Sequence, residues 1–154
     1  MLLYLIRHAS AKNSSVSEKD FDRCLTKEGI KQSKQLGVYL ADSTFSFNEI
    51  YVSSSQRTRE TAKYALDPKM DVKYDDSLYL PNSKQLLKFI NKLETGSNLL
   101  IIGHNEGISS LASYLTNQYI GLNTANAVII EFECINSNEI SGETGRVIDV
   151  FSPI

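Results

Sequence analysis

Met1-Leu2-Leu3-Tyr4-Leu5-Ile6-Arg7-His8-Ala9-Ser10 opens the chain and decides how the rest is read. The first six residues form an unbroken apolar run with neither the 3.6-residue period of a helix nor the alternation of a half-exposed strand. A run this short and this uniformly apolar reads as a strand covered on both faces. It ends abruptly in a guanidinium and an imidazole. Asn98-Leu99-Leu100-Ile101-Ile102 repeats the pattern and ends in Gly103-His104-Asn105. The chain has two histidines, and each stands just past the C-terminal end of such a run.

Outward from these two strands the pattern alternates. A polar loop, Lys12 to Arg23, precedes Thr26, which can cap a helix running to about Asp42 with Ile30, Leu36, Leu40 and Ala41 on one side. Glu49–Val52 reads as a short strand. Ser53-Ser54-Ser55 then forms a turn and cap before a helix from about Gln56 to Leu66, which Asp67-Pro68 stops. Met70–Tyr74 reads as a strand. Asn82-Ser83 opens a helix striped by Leu86, Ile90 and Leu93. Ile108, Leu111, Ala112 and Leu115 follow the second apolar strand at helical spacing. Ala127–Cys134 and Arg146–Phe151 read as a final strand pair, a hairpin across the loop from Asn136 to Gly145. Strands alternating with helices imply a layered α/β fold. No linker or repeat divides the chain, so residues 1–154 read as one domain.

Composition narrows the function classes. With 16 basic and 18 acidic residues the net charge is −2, so there is no basic stripe for nucleic acid and no long-range field to steer an anion. Any handling of phosphate must be local. No apolar run reaches the length of a membrane span, and the N-terminus lacks the pattern of a secretory signal. Cys24 and Cys134 are far apart and form no metal-type pair, so they read as reduced thiols in a cytoplasmic protein.

In open α/β sheets, ligands bind beyond the carboxyl ends of the strands. Parallel pairing of the two apolar strands brings His8 and His104 together at that edge. The strand Glu49–Val52 ends in Ser53-Ser54-Ser55-Gln56-Arg57, which puts Arg57 in the first turn of the next helix, where free N–H groups favour anions. Arg7, His8, Arg57 and His104 therefore converge, with no carboxylate beside them in sequence. Two guanidiniums and two imidazoles make an anion pocket, and the forked donors of arginine suit phosphoryl oxygens. One imidazole can attack phosphorus and the other can donate to an oxygen as charge develops. Each residue alone has a plainer reading: a solvated turn, a helix cap at Asn105, a surface charge. Their conjunction favours the site. Two histidines with arginine neighbours and no acidic or thiol cluster suit a metal ion poorly, so no metal or cofactor is expected.

Leu5-Ile6-Arg7-His8-Ala9 resembles the Arg-His-Gly signature of the histidine phosphatase superfamily, also called phosphoglycerate-mutase-like. Ser53 to Ala62 is similar to its second motif, Ser-Pro-x-x-Arg-(Ala/Thr)-x-x-Thr-Ala, and Gly103-His104-Asn105 to its third. Asp22 to Gly29, Leu78-Tyr79 and Asn123-Thr124-Ala125 look like the small SixA-type phosphohistidine phosphatases. The resemblance implies a metal-free three-layer α/β/α sandwich with a mostly parallel central sheet. It implies His8 as the phosphorylated nucleophile, with Arg7, Arg57 and His104 holding phosphoryl oxygens.

Three positions depart from the motifs: Ala9 replaces Gly, while Ser54 and Cys24 each replace Pro. Ala9 is mild if its φ is negative and costly otherwise. The general acid is a further departure. The family's best-known phosphatases carry a Glu at about the position of Leu80, and Leu80 cannot donate a proton. Asp75 and Asp76 are close in sequence but read better as a solvated turn. A site without an acid suits the P–N bond of phosphohistidine better than an ester, whose alkoxide needs a proton. A mutase would need a lid, and the connection from Leu80 to Ser83 is very short. The expected substrate is thus a phosphohistidine-bearing protein. The alternatives are a phosphatase for a small metabolite and a non-catalytic phosphate-binding module.

Overall fold

A computed structural model describes all residues, 1–154. Six strands and four helices alternate: β1 Leu2–Arg7, α1 Lys27–Asp42, β2 Glu49–Ser53, α2 Gln56–Ala65, β3 Val72–Asp75, α3 Ser83–Lys92, β4 Leu99–Gly103, α4 Gly107–Thr116, β5 Ala127–Phe132 and β6 Gly145–Phe151. The strands form one sheet in the order β3-β2-β4-β1-β5-β6. The first four are parallel, while β5 runs antiparallel to β1 and β6 antiparallel to β5. The sheet is mostly parallel, as expected.

Alternation along the apolar strands builds the two outer layers. Leu3 and Leu5 of β1, with Leu99 and Ile101 of β4, pack on one face against Leu86 and Ile90 of α3 and Ile108, Leu111 and Leu115 of α4. Their neighbours Tyr4, Ile6, Leu100 and Ile102 pack on the other face against Leu36 and Leu40 of α1 and Ala62 and Ala65 of α2. Both faces are covered, which is why neither run alternates with polar residues. Each fully buried aliphatic side chain stabilises the fold by about 1.5–3 kcal/mol. No helix is long and apolar enough to cross a membrane.

The strand register fixes the site. Arg7 pairs with Gly103 and Val52 with Ile102. His8 and His104 therefore emerge side by side at the carboxyl edge, with Ser53, the last residue of β2, one step behind them.

Several boundaries differ from those expected. β3 spans Val72–Asp75, because Asp75 still pairs with Ser53, while Met70 lies outside the sheet and exposed. β5 ends at Phe132, and Glu133 and Cys134 leave the ladder. On α1 the buried stripe is Gly29, Ser33, Leu36 and Leu40; Ala41 has turned out to solvent. The cap of α4 is Glu106 instead of Asn105.

Thr26 caps α1 by accepting from the Gly29 N–H at 2.9 Å. The first turn of α1 abuts the chain just after His8. A Cβ on Gly29 would sit 2.0 Å from the Ser10 carbonyl oxygen, so only glycine fits. This close approach explains the Leu-Thr-x-x-Gly spacing at Leu25–Gly29.

Candidate active site

His8 and His104 face each other with ring centroids 5.3 Å apart. His8 Nδ1 lies 2.7 Å from the carbonyl oxygen of Ala9. A carbonyl only accepts, so Nδ1 carries the proton and donates. Nε2 is left with its lone pair, and Arg57 Nε–H donates to it at 3.3 Å. His104 Nε2 is 2.8 Å from Ser53 Oγ, and its Nδ1 is buried without a partner. Arg7 donates to the Leu122 carbonyl at 3.1 Å, and its Nε is likewise buried and unpaired. Each buried polar atom left without a partner costs about 1–3 kcal/mol. All four sequence-expected residues line one open cavity of about 380 Å³.

Burial makes both imidazoles weak bases. His8 is pushed down to about 4, chiefly by burial, with Arg57, Arg7 and Arg23 adding to the effect against the opposing Ala9 carbonyl. His104 is pushed down to about 3, again first by burial and then by Arg57 and His8. Both rings are neutral at physiological pH.

The second motif is legible in its hydrogen bonds. Thr61 stands one turn beyond Arg57; its hydroxyl donates to the Arg57 carbonyl at 2.7 Å and accepts the Ala9 N–H at 3.0 Å. Thr58 donates to the Ser53 carbonyl at 2.6 Å. Thr61 thereby ties α2 to the loop after His8, and Thr58 ties it to the end of β2, where Ser53 meets His104. Glu60 accepts from the Leu25 N–H at 2.9 Å and anchors the Leu25–Gly29 segment to the same helix. Ala125, at φ 58°, donates its N–H to the Arg7 and His8 carbonyls.

Three site residues escaped sequence reasoning. Asp20, in a 3-10 turn over Asp20–Asp22, accepts from Arg57 at 3.1 Å and from Arg23 Nε at 2.9 Å. It also accepts the Tyr79 hydroxyl. Tyr79 packs edge-on against His104. The expectation of no carboxylate beside the cationic residues holds in sequence and fails in space. Asp20 lies in a polar loop without periodicity, twelve positions from His8. A long, mostly polar loop, Lys12 to Arg23, so close to a strand end was the available signal. The Tyr79 hydroxyl and the arginines hold Asp20 down to about 2, so it is a carboxylate at neutral pH.

The remaining positions resolve simply. Ala9 does not adopt a positive φ, and its methyl packs with Leu25 and Ala125, so the loss of glycine is mild. Asp75 accepts from the N–H and hydroxyl of Ser77, as a turn residue does, and neither Asp75 nor Asp76 lines the cavity. Leu80, in the left-handed region at φ 55° and half exposed, stands on the rim. Asn105 also lines the cavity and donates to the Leu122 carbonyl at 2.9 Å.

The model of the histidine phosphatase superfamily (branch 1) matches residues 3–79, a span that holds Arg7, His8 and Arg57. The chain belongs to this superfamily. An uncharacterized chloroplastic protein of Arabidopsis thaliana is 29% identical over 143 residues, covering 84% of this chain. The match spans 65% of that relative's length. Among solved structures, a candidate SixA phosphohistidine phosphatase from Nakamurella multipartitia superposes with a TM-score of 0.83 at 21% identity, covering 99% of this chain and 96% of that one. A second, from Agrobacterium tumefaciens, gives 0.83 at 23% identity, with 99% and 97% covered. A candidate α-ribazole-5′-phosphate phosphatase from Escherichia coli gives 0.72 at 18%, with 99% and 96% covered. At these identities the superpositions speak for the shared histidine phosphatase fold.

Proposed function

We propose that this histidine phosphatase hydrolyses phosphohistidine in a protein, through a phosphoryl group carried on His8 Nε2. The observation that carries the reading is the contact of His8 Nδ1 with the Ala9 carbonyl, which accepts the Nδ1–H hydrogen bond and leaves the Nε2 lone pair facing Arg57. In the first step a bond forms between Nε2 and phosphorus while the substrate's P–N bond breaks. The departing imidazole keeps the electron pair and leaves neutral once its other ring nitrogen carries a proton. In the second step water adds to phosphorus, the Nε2–P bond breaks, and His8 recovers its lone pair. Arg7, Arg57 and His104 hold the phosphoryl oxygens, and their alignment before reaction is what lowers the barrier.

The substrate class follows from the acid. Asp20 is the one carboxylate lining the cavity, and it is ionised. An alkoxide leaving group therefore finds no ready proton donor, whereas an imidazole needs none from the protein. Four residues, Tyr79 to Asn82, connect the 3-10 turn ending at Leu78 to α3, which gives a protein surface access to the cleft. The proposed setting is the cytoplasm.

The test compares donors. A phosphohistidine protein should be dephosphorylated at least about 10²-fold faster, in kcat/KM, than an alkyl phosphate ester, the scale of one missing general acid. Asp75→Asn and Asp76→Asn should leave both rates unchanged. Efficient ester turnover would instead favour a small-metabolite phosphatase, and no turnover of either donor would leave a phosphate-binding module.

The pH profile is a second expectation. Attack requires neutral His8, and a second ring proton, on Nε2, is held only below about 4. Enzymatic rate, corrected for acid hydrolysis of the donor, should show no acid loss between pH 8 and about 5 and should fall roughly tenfold per unit below about 4. A midpoint near 6.5, the value of a free histidine, would contradict a buried His8 nucleophile.

A further inference from the structure

A pocket for a phosphoryl dianion holds a carboxylate, and the reaction steps above give it nothing to do. Asp20 shares the cavity with His8, and about half of its side chain is exposed. It engages Arg57 twice. The backbone carbonyl accepts from one terminal nitrogen at 2.9 Å, and Oδ2 accepts from the other at 3.1 Å. Oδ2 also takes the Tyr79 hydroxyl, and Oδ1 takes Arg23 Nε at 2.9 Å. Arg57 is buried, with a side-chain exposure of 3%, and its remaining contact is Nε–H to His8 Nε2. The two terminal nitrogens face Asp20, while Nε faces the atom that receives phosphorus. One flat guanidinium thus bridges the carboxylate and the phosphoryl position.

The charges add simply. The cavity holds the guanidiniums of Arg7, Arg23 and Arg57 and the carboxylate of Asp20, and both imidazoles are neutral. Three positive charges less one negative leave a surplus of two, which a phosphate dianion cancels. Without Asp20 the surplus would be three, and the bound product would remain inside a net positive pocket.

We propose that Asp20 sets the phosphate affinity of the pocket: it competes with the phosphoryl group for Arg57 and Arg23, and its repulsion speeds the release of inorganic phosphate after hydrolysis. The proposal rests on the phosphatase reading above. Asp20 is a positioning residue that acts through the two arginines. A purely structural role, in which Asp20 only holds Arg57 in place, has the opposite signature, because losing it would then weaken phosphate binding.

Binding of inorganic phosphate, measured by calorimetry at pH 7.5 and low salt, separates the two. Asp20→Asn should bind phosphate about three- to tenfold more tightly than wild type, the range expected for one half-exposed charge near a dianion. Product inhibition should strengthen by the same factor. Asp20→Glu, which keeps the charge, should return both values toward wild type. Equal or weaker phosphate binding by Asp20→Asn overturns the proposal. If that variant fails to fold, wild type decides. The Asp20 carboxyl ¹³C resonance should shift on phosphate addition with the same dissociation constant as the His8 ring, and an unmoved Asp20 resonance overturns the proposal. If phosphate perturbs neither His8 nor Asp20 in wild type, the phosphatase reading fails as well. If wild type binds phosphate at His8 but Asp20→Asn binds it no more tightly, only the role of Asp20 falls.

Discussion

His8→Ala is expected to abolish the phosphoryl adduct and to lower turnover by at least about 10⁴-fold, the scale seen when a covalent nucleophile is removed. The loss should be this complete because no neighbour can replace the lone pair. The other imidazole has its Nε2 engaged with Ser53 Oγ at 2.8 Å, and its ring centroid lies 5.3 Å from that of His8. The variant should still fold. It gives up two hydrogen bonds, to the Ala9 carbonyl and from Arg57 Nε–H, each worth about 1 kcal/mol, while the two apolar layers around β1 are untouched. Intact mass after brief exposure to a phosphohistidine protein, quenched without acid, measures the outcome directly. Wild type should gain one phosphoryl group and His8→Ala none. An adduct that survives in His8→Ala but disappears in His104→Ala would move the nucleophile to the second histidine.

Arg57→Ala is expected to cost about 10²–10³ in kcat/KM, the loss typical of one preorganised charged donor. The variant should also change the shape of the pH profile. The positive charge of Arg57 is among the causes that hold His8 at about 4, although burial is the larger one. Removing that charge lets His8 protonate more readily, so the acid limb should move upward in pH, toward but not reaching 6.5. Arg57→Lys should recover little of the rate. A single ammonium cannot point at His8 Nε2 and at both oxygen partners on Asp20 at once, as the planar fork does. Rate loss without movement of the acid limb would mean that the charge of Arg57 does not reach His8. The rate loss tests its grip on the phosphoryl group, and the limb tests its field.

Arg7, His8, Arg57 and His104 were legible because each is tied to a strong local signal. Two follow continuous apolar strands, one ends such a strand, and one falls in the first turn of a capped helix. Parallel register then carries local signals into space, since the pairing of Arg7 with Gly103 sets the two histidines abreast. Asp20 and Arg23 had no such anchor. They sit in a polar loop whose path is decided by contacts made elsewhere, including the bond from Arg23 to the Lys12 carbonyl at 2.8 Å. Tyr79 was visible as part of a motif, but its partner was not, because that partner lies 59 positions away. Strand ends were blurred for a related reason. Asp75 has poor strand propensity and is kept in the ladder by Ser53, while Cys134 has good propensity and is released where β6 begins.

On the proposed mechanism, the hydrogen bond from His8 Nδ1 to its own chain neighbour selects one isomer of the intermediate. Phosphorylation at Nε2 yields the 3-phospho (τ) form, and the 1-phospho (π) form would require Nδ1 to lose the Ala9 carbonyl and turn the ring over within a buried site. A trapped enzyme intermediate should thus react with antibodies raised against 3-phosphohistidine and stay silent to those against the 1-isomer. A cellular survey of 3-phosphohistidine would then count the phosphatase itself among the labelled proteins.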